Sequence, residues 1–208
     1  MPLPSLVVFG PQTPCPSIEY ISQLRYFLLN NHYLADFLAA IRDLPNIWPS
    51  LVEASPSLAQ VPGLDSLKDF KRWIDQGDLP VSSSEILPNV LSTPLTVIIH
   101  IIEYFNYLEQ VGPGTSHAQV LDRVQNGGIQ GFCTGFMAAI SLACSSDEED
   151  ISKFGAVALR LAVCIGAFVD LDARFAIAPR ETSCFTVRWT SNVGKSQVLD
   201  ILNDYSEV

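Results

Sequence analysis

A cysteine lies between two glycines in the run Gly131-Phe132-Cys133-Thr134-Gly135, where a strand pattern gives way to an apolar helix pattern. A nucleophile at such a strand–turn–helix junction is held out over the end of the sheet, and the glycines let neighbouring backbone approach closely. The helix that follows directs its free N–H groups and positive dipole end at the thiol, which favours a thiolate and a developing oxyanion. The spacing therefore indicates nucleophilic catalysis by Cys133, with a buried structural cysteine as the alternative.

The elements that must position this turn alternate between strand and helix patterns. The apolar run of residues 6–9, ended by Gly10-Pro11, predicts a buried parallel strand. Ligands of α/β sheets bind at the carboxyl ends of strands, so the loop of residues 10–13 is a candidate part of the site, with an ordinary strand exit as the alternative. Apolar residues recurring every three or four positions predict helices over 18–41 with a break at 30–31, and over 67–75, 94–108, 116–126, 151–171 and 193–205.

Proline and histidine refine these predictions. Pro45 and Pro49 predict short segments around Trp48. Thr93-Pro94 predicts a helix start, because a proline in the first turn loses no hydrogen bond. Within that apolar helix, His100 is expected to be a hydrogen-bonded core residue, whereas His32 and His117 are expected at the surface. The acidic residues 147–150 are expected to cap the helix that follows rather than to bind a metal.

Composition bounds the class of protein. The sequence has 208 residues, 48% of them hydrophobic, and a formal net charge of −10. It is long enough for one large domain or a domain plus part of a second, and its acidity argues against nucleic acid as a partner. No uninterrupted apolar run approaches the ~20 residues of a membrane span, with residues 93–108 coming closest. The five cysteines are irregularly spaced in apolar surroundings, which predicts reduced thiols and a cytoplasmic location, and no Cys/His spacing indicates zinc.

Further markers accompany the cysteine along the whole chain. They are Phe9-Gly10-Pro11-Gln12, Arg42-Asp43-Leu44-Pro45 with Trp48-Pro49, the run from Pro94 to His100, Gly131-Phe132-Cys133-Thr134-Gly135 and the run from Phe185 to Trp189. Taken together these markers resemble the starter-unit acyl carrier protein transacylase (SAT) domain of fungal non-reducing polyketide synthases, which are enzymes of secondary metabolism.

The resemblance implies an α/β fold of the malonyl-transferase type. Residues 1–180 would form an incomplete α/β-hydrolase-like large subdomain, and residues 181–208 the beginning of a ferredoxin-like small subdomain. It also implies a transferase that moves an acyl group from acyl-CoA or a carrier thioester to Cys133, and then to the phosphopantetheine thiol of an acyl carrier protein. Gln12 and Thr134 match the residues whose backbone N–H groups form the oxyanion hole. No metal and no cofactor bound to the domain itself is implied.

Two departures from the family pattern bear on function. Malonyl transferases bind the substrate carboxylate with an arginine in R-L-x-x-x-R-G, and the matching run Arg160 to Gly166 has Ile165 in place of the second arginine. An acyl pocket with Ile165 is therefore expected to take an uncharged acyl group, because a carboxylate would lose its bidentate partner. The family base is a histidine in a G-x-F-H or G-x-Y-H context, whereas all three histidines here precede Cys133.

Three functions remain open on this reading. The first is a starter-unit acyltransferase acting on an acetyl or fatty acyl thioester. The second is a truncated, catalytically inactive relative that binds only an acyl group or a carrier protein. The third is a cysteine hydrolase, which shares the nucleophile turn and equally lacks the base.

Overall fold

The computed structural model describes residues 6–11, 16–77, 87–112, 114–125 and 127–175. In these ranges the chain is mostly helical with one small parallel sheet, which agrees with the predicted α/β class. The elements of the described ranges are β1 (Val7–Phe9), α1 (Ile18–Asn30), α2 (Ala35–Ala54), α3 (Gly63–Gln76), α4 (Asn89–Val111), α5 (His117–Arg123), β2 (Ile129–Gly131), α6 (Gly135–Ala143) and α7 (Glu148–Phe175), with 3-10 turns at His32–Leu34 and Pro56–Gln60.

The sheet joins the first strand to the strand that leads into the cysteine turn. β1 and β2 run parallel, with Val7 opposite Ile129 and Phe9 opposite Gly131. Phe9 is buried beneath the sheet, and its ring centroid lies 5.4 Å from that of His100 on α4. The predicted first strand is thus confirmed, and its carboxyl end lies beside the carboxyl end of β2.

The core is built mainly from α4 and α7. Both helices contain side chains that are fully removed from solvent, among them Val97 and Ile101 on α4 and Leu159 and Val163 on α7. Gly166 brings α7 against the start of α4, since a Cβ there would lie 2.1 Å from the Asn89 carbonyl oxygen. The core is therefore a tight helix–helix layer, which the sheet contacts through Phe9 against His100 and Tyr104 of α4.

The predicted interruption at Pro45 and Pro49 is wrong, because both prolines lie inside α2. Each interior proline costs a helix about 3 kcal/mol. Ile41, Leu44 and Trp48, spaced three and four apart, are buried on one face of this helix. Burial of each such side chain stabilises the fold by roughly 1.5–3 kcal/mol, so the three together are comparable with the cost of the two prolines, and the fully buried Phe37 of the same helix adds to them.

The predicted helix start at Thr93-Pro94 is also wrong, since α4 begins at Asn89 and contains Pro94. The Asp170 carboxylate of α7 accepts hydrogen bonds from the backbone N–H groups of Asn89 and Val90, both at 2.8 Å. It also accepts one from the Asn89 side-chain amide at 2.9 Å. A cap from a residue 80 positions away replaces the local N-cap, and sequence spacing does not show it.

Other boundaries follow the prediction. The chain breaks at Asn31, whose side chain accepts from the Tyr33 N–H, and α3 ends at Gly77 in the left-handed conformation that favours glycine. α7 begins at the acidic run, where the Asp150 N–H donates to the Asp147 carboxylate at 2.8 Å. The predicted boundary near residue 180 and the predicted helix of residues 193–205 lie outside the described residues.

One described helix, Glu148–Arg174, is long and apolar enough to cross a membrane by length and composition alone. This helix differs from residues 93–108, the stretch whose sequence pattern comes closest to a membrane span. A core helix passes the same test, and one side of α7 is packed against α2 and α4 through Gly155 and Gly166. We therefore treat α7 as a core helix whose opposite side is apolar.

Candidate active site

Cys133 is the middle residue of the three-residue turn between β2 and α6 and is exposed to solvent. Its φ of 53° is the single positive φ among the non-glycine residues that the structure describes. A side chain in this left-handed region is strained, and such strain is maintained only where the surrounding structure enforces it. The geometry agrees with the strand–turn–helix junction predicted from the sequence.

The two glycines of the motif are required by close backbone contacts. A Cβ on Gly131 would lie 2.4 Å from the Gly135 carbonyl oxygen. A Cβ on Gly135 would lie 2.3 Å from the Gly10 carbonyl oxygen and 2.6 Å from that of Phe9. Any other residue at either position would push the start of α6 away from the two strands. Gly135 also brings the cysteine turn against the loop that follows β1.

Hydrogen bonds hold the turn to the sheet and leave the N–H of Thr134 without an acceptor among the described residues. The Phe132 N–H donates to the Phe9 carbonyl, and the Gly135 N–H donates to the Phe132 carbonyl, both at 3.0 Å. No acceptor among the described residues takes the Thr134 N–H. That group directly follows Cys133 at the start of α6, and the Thr134 hydroxyl oxygen lies 3.8 Å from the cysteine sulfur. An exposed thiol therefore lies beside an open backbone donor at a helix N-terminus.

Comparison with known proteins fits this arrangement. The family described as "Starter unit:ACP transacylase in aflatoxin biosynthesis" matches residues 7–207. The chain belongs to this transacylase family. The match runs through both strands and the cysteine turn, so the resemblance drawn from the sequence motifs is confirmed.

The relatives of this transacylase chain are much larger fungal proteins. It is 43% identical to the 5-methylorsellinic acid synthase of Aspergillus terreus over 98% of this chain and 8% of the relative. It is 39% identical to the non-reducing polyketide synthase esdpA of Penicillium shearii over 100% of this chain and 9% of the relative. It is 42% identical to the synthase pkbA of Emericella nidulans over 98% of this chain and 8% of the relative. The chain thus spans about a tenth of the length of these curated relatives.

The transacylase resemblance also assigns roles to Gln12 and Ile165, and the structure describes only the second of these residues. Gln12 lies outside the described residues, although Gly10 at the start of its loop contacts the turn. Ile165 lies on α7 and is 43% exposed. Phe132 in the cysteine turn and Phe136 on α6 are each about half exposed. An uncharged, accessible apolar surface therefore exists on α7 and around the cysteine turn.

The prediction of a surface position for His117 is wrong. Its ring is fully buried, Nε2 donates to the Leu142 carbonyl at 3.0 Å, and Nδ1 accepts from the Tyr104 hydroxyl at 2.7 Å. Burial lowers the pKa of His117, against the opposing effect of hydrogen bonds and of Glu148. Its backbone N–H also donates to Glu148 at 2.7 Å. His117 thus links α4, α5, α6 and the start of α7. The sequence gives no local signal for this role, because it depends on contacts with residues that are distant along the chain.

The expectation of a hydrogen-bonded core position for His100 is wrong as well. His100 is partly buried and lines a cavity of about 320 Å³ beside β1, together with Glu103 and Tyr107. Its Nδ1 is buried and has no hydrogen-bond partner among the described residues. Burial lowers its pKa, and the charge of Glu103 opposes that shift. His32 is exposed, as predicted.

The remaining described cysteines differ from one another. Cys144 is exposed at the end of α6, contrary to the expected apolar burial, whereas Cys164 is partly buried and burial raises its pKa. Cys15 and Cys184 lie outside the described residues. Within the ranges that the structure covers, no three His, Cys, Asp or Glu side chains converge in a way that could hold a metal ion.

Proposed function

We propose that this chain is the nucleophile-bearing part of a starter-unit acyltransferase of polyketide biosynthesis. It moves an uncharged acyl group from a thioester, through Cys133, to the phosphopantetheine thiol of an acyl carrier protein. The carrier supplies the phosphopantetheine, and the acyl donor is acyl-CoA or an acylated carrier. The observation that carries this proposal is the exposed, positive-φ Cys133 next to the unpaired Thr134 N–H.

The chemistry follows from this geometry. The Cys133 thiolate attacks the thioester carbonyl carbon, and the carbonyl oxygen becomes an oxyanion next to the Thr134 N–H. Collapse of this intermediate expels the donor thiolate, which takes up a proton, and leaves an acyl-enzyme thioester. The incoming phosphopantetheine thiol then loses a proton, attacks the same carbonyl carbon and releases Cys133. Gln12 is proposed as the second oxyanion donor, because its loop begins at Gly10 beside the turn.

The uncharged character of the acyl group is proposed from the position of Ile165. Ser141 on α6 lies 3.4 Å, through its hydroxyl oxygen, from the Phe154 carbonyl oxygen on α7. The two helices are joined by only four residues, 144–147, and so run antiparallel. Cys133 lies eight residues before Ser141, and residue 162 lies eight residues after Phe154. In an antiparallel pair these two positions are at about the same level, and residue 162 is roughly one turn before Ile165. An isoleucine there offers an acyl chain apolar contact and a carboxylate no partner.

We further propose the malonyl-transferase type of fold for the complete domain and a cytoplasmic location. The parallel strand pair with the nucleophile at its carboxyl end supports the first, and the free thiols of Cys133, Cys144 and Cys164 support the second. The related synthases are about ten times longer than this chain, so the carrier protein is proposed as another part of the same synthase.

The test is intact-mass analysis after incubation with acetyl-CoA or hexanoyl-CoA. We expect one acyl adduct on the native chain and none on Cys133→Ala. Cys144→Ala is the matched control, because Cys144 is exposed but has no positive φ and lies at the other end of α6. An adduct that persists in Cys133→Ala and disappears in Cys144→Ala would assign the chemistry to the wrong residue.

A binding-only function is the second candidate. It is favoured by the absence of any histidine after Cys133 in this sequence and by the engagement of both ring nitrogens of His117. Such a protein would bind acyl thioesters or a carrier protein without forming the covalent adduct, so the same mass measurement separates the two functions.

A further inference from the structure

The outward side of α6 carries an apolar row that starts at the nucleophile. Cys133, Phe136 and Ile140, spaced three and four residues apart, are all exposed, Phe136 at 51% and Ile140 at 44%. Residues three and four apart share one face of a helix. The opposite face contains Ala138 and Leu142, both fully buried. The core therefore determines which side of α6 is directed at solvent, and the two apolar side chains lie on the same side as the thiol.

Phe136 is the first residue of this row that an acyl group on Cys133 would meet. Its N–H donates to the Cys133 carbonyl at 3.1 Å, so a single hydrogen-bonded turn separates the two residues. In a helix the Cα–Cβ bond tilts toward the N-terminus, and an aromatic side chain leans over the preceding turn. Because Phe136 is in the first turn of α6, its ring leans toward the cysteine turn.

The row offers contact to an alkyl chain and nothing to a charged group. Residues 131–144, which comprise the turn and α6, contain no charged side chain. A carboxylate placed against Phe136 would lose hydration without gaining an ion-pair partner, whereas a methylene group gains free energy when it leaves water. The surface beside the thiol is therefore suited to the uncharged, apolar part of a substrate.

We propose that Phe136 selects the acyl group by providing the surface on which the alkyl chain packs once the acyl carbon is bound to Cys133. The inference rests on the proposed function, because it concerns the group that is transferred through this cysteine. Phe136 is thereby assigned as a specificity-determining residue, and its ligand is the alkyl chain of an acyl thioester.

The length of the row sets the chain length that Phe136 favours. A six-carbon acyl chain, with carbon–carbon bonds of about 1.5 Å, extends at most about 7 Å. That length covers one helical turn of about 5.4 Å and so reaches the Phe136 ring, whereas Ile140 lies four residues, or about 6 Å, farther along α6. Chains of roughly four to six carbons are therefore favoured over acetyl, whose methyl group is too short to cover the ring.

The experiment is a competition between hexanoyl-CoA and acetyl-CoA for Cys133, with each adduct mapped to the cysteine by peptide mass. Full burial of one CH₂ group is worth about fourfold in an equilibrium constant, and contact on one side about twofold. With two or three such contacts, we expect the ratio of hexanoyl to acetyl adduct to fall about fivefold in Phe136→Ala. Phe136→Leu, which keeps an apolar side chain, and Ile140→Ala, the matched control, should stay within about twofold of the native ratio.

An unchanged ratio in Phe136→Ala would overturn the inference. This includes the case in which both adducts decrease alike, because the ring would then contact the donor arm that the two thioesters share, or only support the turn. An equal fall of the ratio in Ile140→Ala would overturn it as well, since the apolar character of α6 as a whole, and not the position of Phe136, would then select the chain.

A second reagent separates this inference from the proposed function. Alkyl methanethiosulfonates convert a thiol to a mixed disulfide and release methanesulfinate, so they require neither an oxyanion donor nor a carrier protein. The ratio of hexyl to methyl modification rates at Cys133 should be at least about threefold higher in the native chain than in Phe136→Ala. Equal ratios would overturn the inference. The expected ratio without any acyl adduct from acyl-CoA would contradict the proposed function and still support an apolar subsite at Phe136.

Discussion

The backbone around Gly131 and Gly135, two residues on either side of Cys133, is too close to admit a Cβ at either position. The turn stacks the start of α6 on the carboxyl ends of both strands, with Gly135 against the carbonyls of Gly10 and Phe9. The strained conformation of Cys133 is thus enforced by packing on both sides. The exposure of the thiol is a consequence of this backbone geometry.

Gly135→Ala tests that dependence. The added Cβ would lie 2.3 Å from the Gly10 carbonyl oxygen, so the turn must shift, and we expect a loss of about 1–3 kcal/mol in the free energy of unfolding. Labelling of Cys133 by acyl-CoA should fall with it. Gly10→Ala is the matched control for stability, because a Cβ there has no atom within 4 Å. Denaturant unfolding of both variants measures the effect, and equal midpoints for Gly135→Ala and native protein would contradict it.

Ile165→Arg tests acyl selectivity. In the full-length synthase we expect the native protein to prefer acetyl or longer alkyl thioesters over malonyl. The new guanidinium would offer the malonyl carboxylate a bidentate partner, so the ratio of malonyl to acetyl loading should rise by about tenfold or more. Ile140→Arg, at an exposed apolar position on α6 instead of α7, is the control. A native protein that already loads malonyl as well as acetyl would show that Ile165 is not in the pocket.

At the scale of the elements, long-range polar contacts set boundaries that apolar periodicity leaves open. The Asp170 carboxylate takes the place of an N-cap for α4, and the Glu148 carboxylate accepts the His117 N-H at the start of α5. α5 also has a local capping box between Ser116 and Gln119. α4, α5 and α7 are therefore fixed to one another at their ends as well as through their apolar sides.

Asp170→Ala should therefore act on α4. It removes the acceptor for two backbone N–H groups, and loss of an N-cap of this kind costs about 0.5–2 kcal/mol. We expect a lower free energy of unfolding, measured in urea. Asp172→Ala, at an exposed position two residues on in the same helix, should leave stability unchanged. Equal losses for the two variants would mean that the cap has no energetic role.

His117 should make stability depend on pH. Burial lowers its pKa in the folded state below the ordinary value of about 6.5, so the unfolded chain binds the proton more readily. Stability is therefore lost as pH falls below about 6.5 and continues to fall toward the folded-state pKa. His100, whose pKa is lowered by burial too, contributes in the same direction. The charges of Glu148 and Asp147 near His117, and of Glu103 near His100, reduce both shifts.

The measurement compares native protein with His117→Phe in urea between pH 7.5 and 5.5. The variant should be less stable at pH 7.5, because the Tyr104 hydroxyl and the Leu142 carbonyl lose their partner. Its stability should also fall less steeply as pH decreases. An unchanged pH slope would show that His117 titrates alike in the folded and unfolded chain.

The sequence predicted best where the signal is local. The glycines around Cys133, the break at residues 30–31 and the acidic start of α7 each act within a few residues, and all three were found. The errors arise from contacts between distant residues. α2 continues past two prolines because Trp48 and its neighbours are buried. α4 begins before Pro94 because Asp170 accepts its first N–H groups, and His117 is buried because it accepts a hydrogen bond from Tyr104.

At the scale of the molecule, a closely packed core lies beside an exposed apolar surface. The helices α2, α4 and α7 have fully buried side chains where they face one another, whereas apolar side chains on the outward sides of α6 and α7 are about half exposed. The parallel sheet of the described residues has only two strands of three residues.

The sequence has no histidine after Cys133, and this predicts slow turnover by the 208-residue chain. A cysteine thiol is nucleophilic enough to take an acyl group without a base, so loading of Cys133 should still be observed. Transfer onward requires the phosphopantetheine thiol to lose its proton, and general base assistance is typically worth about 10²–10⁴-fold. Both ring nitrogens of His117 are engaged and the Nδ1 of His100 is buried, so we expect neither histidine to take that proton.

Single-turnover transfer from acyl-loaded protein to a phosphopantetheinylated carrier protein measures this step. We expect the short chain to transfer at least about 100-fold more slowly than the full-length synthase, while both form the same adduct on Cys133. His100→Ala and His117→Phe should leave the residual rate of the short chain within about twofold, provided that each variant is folded at the pH of the assay. Equal transfer rates for the short chain and the synthase would show that the base lies within these 208 residues. A rate that fell only in His100→Ala would identify that base as His100, reached through the cavity beside β1.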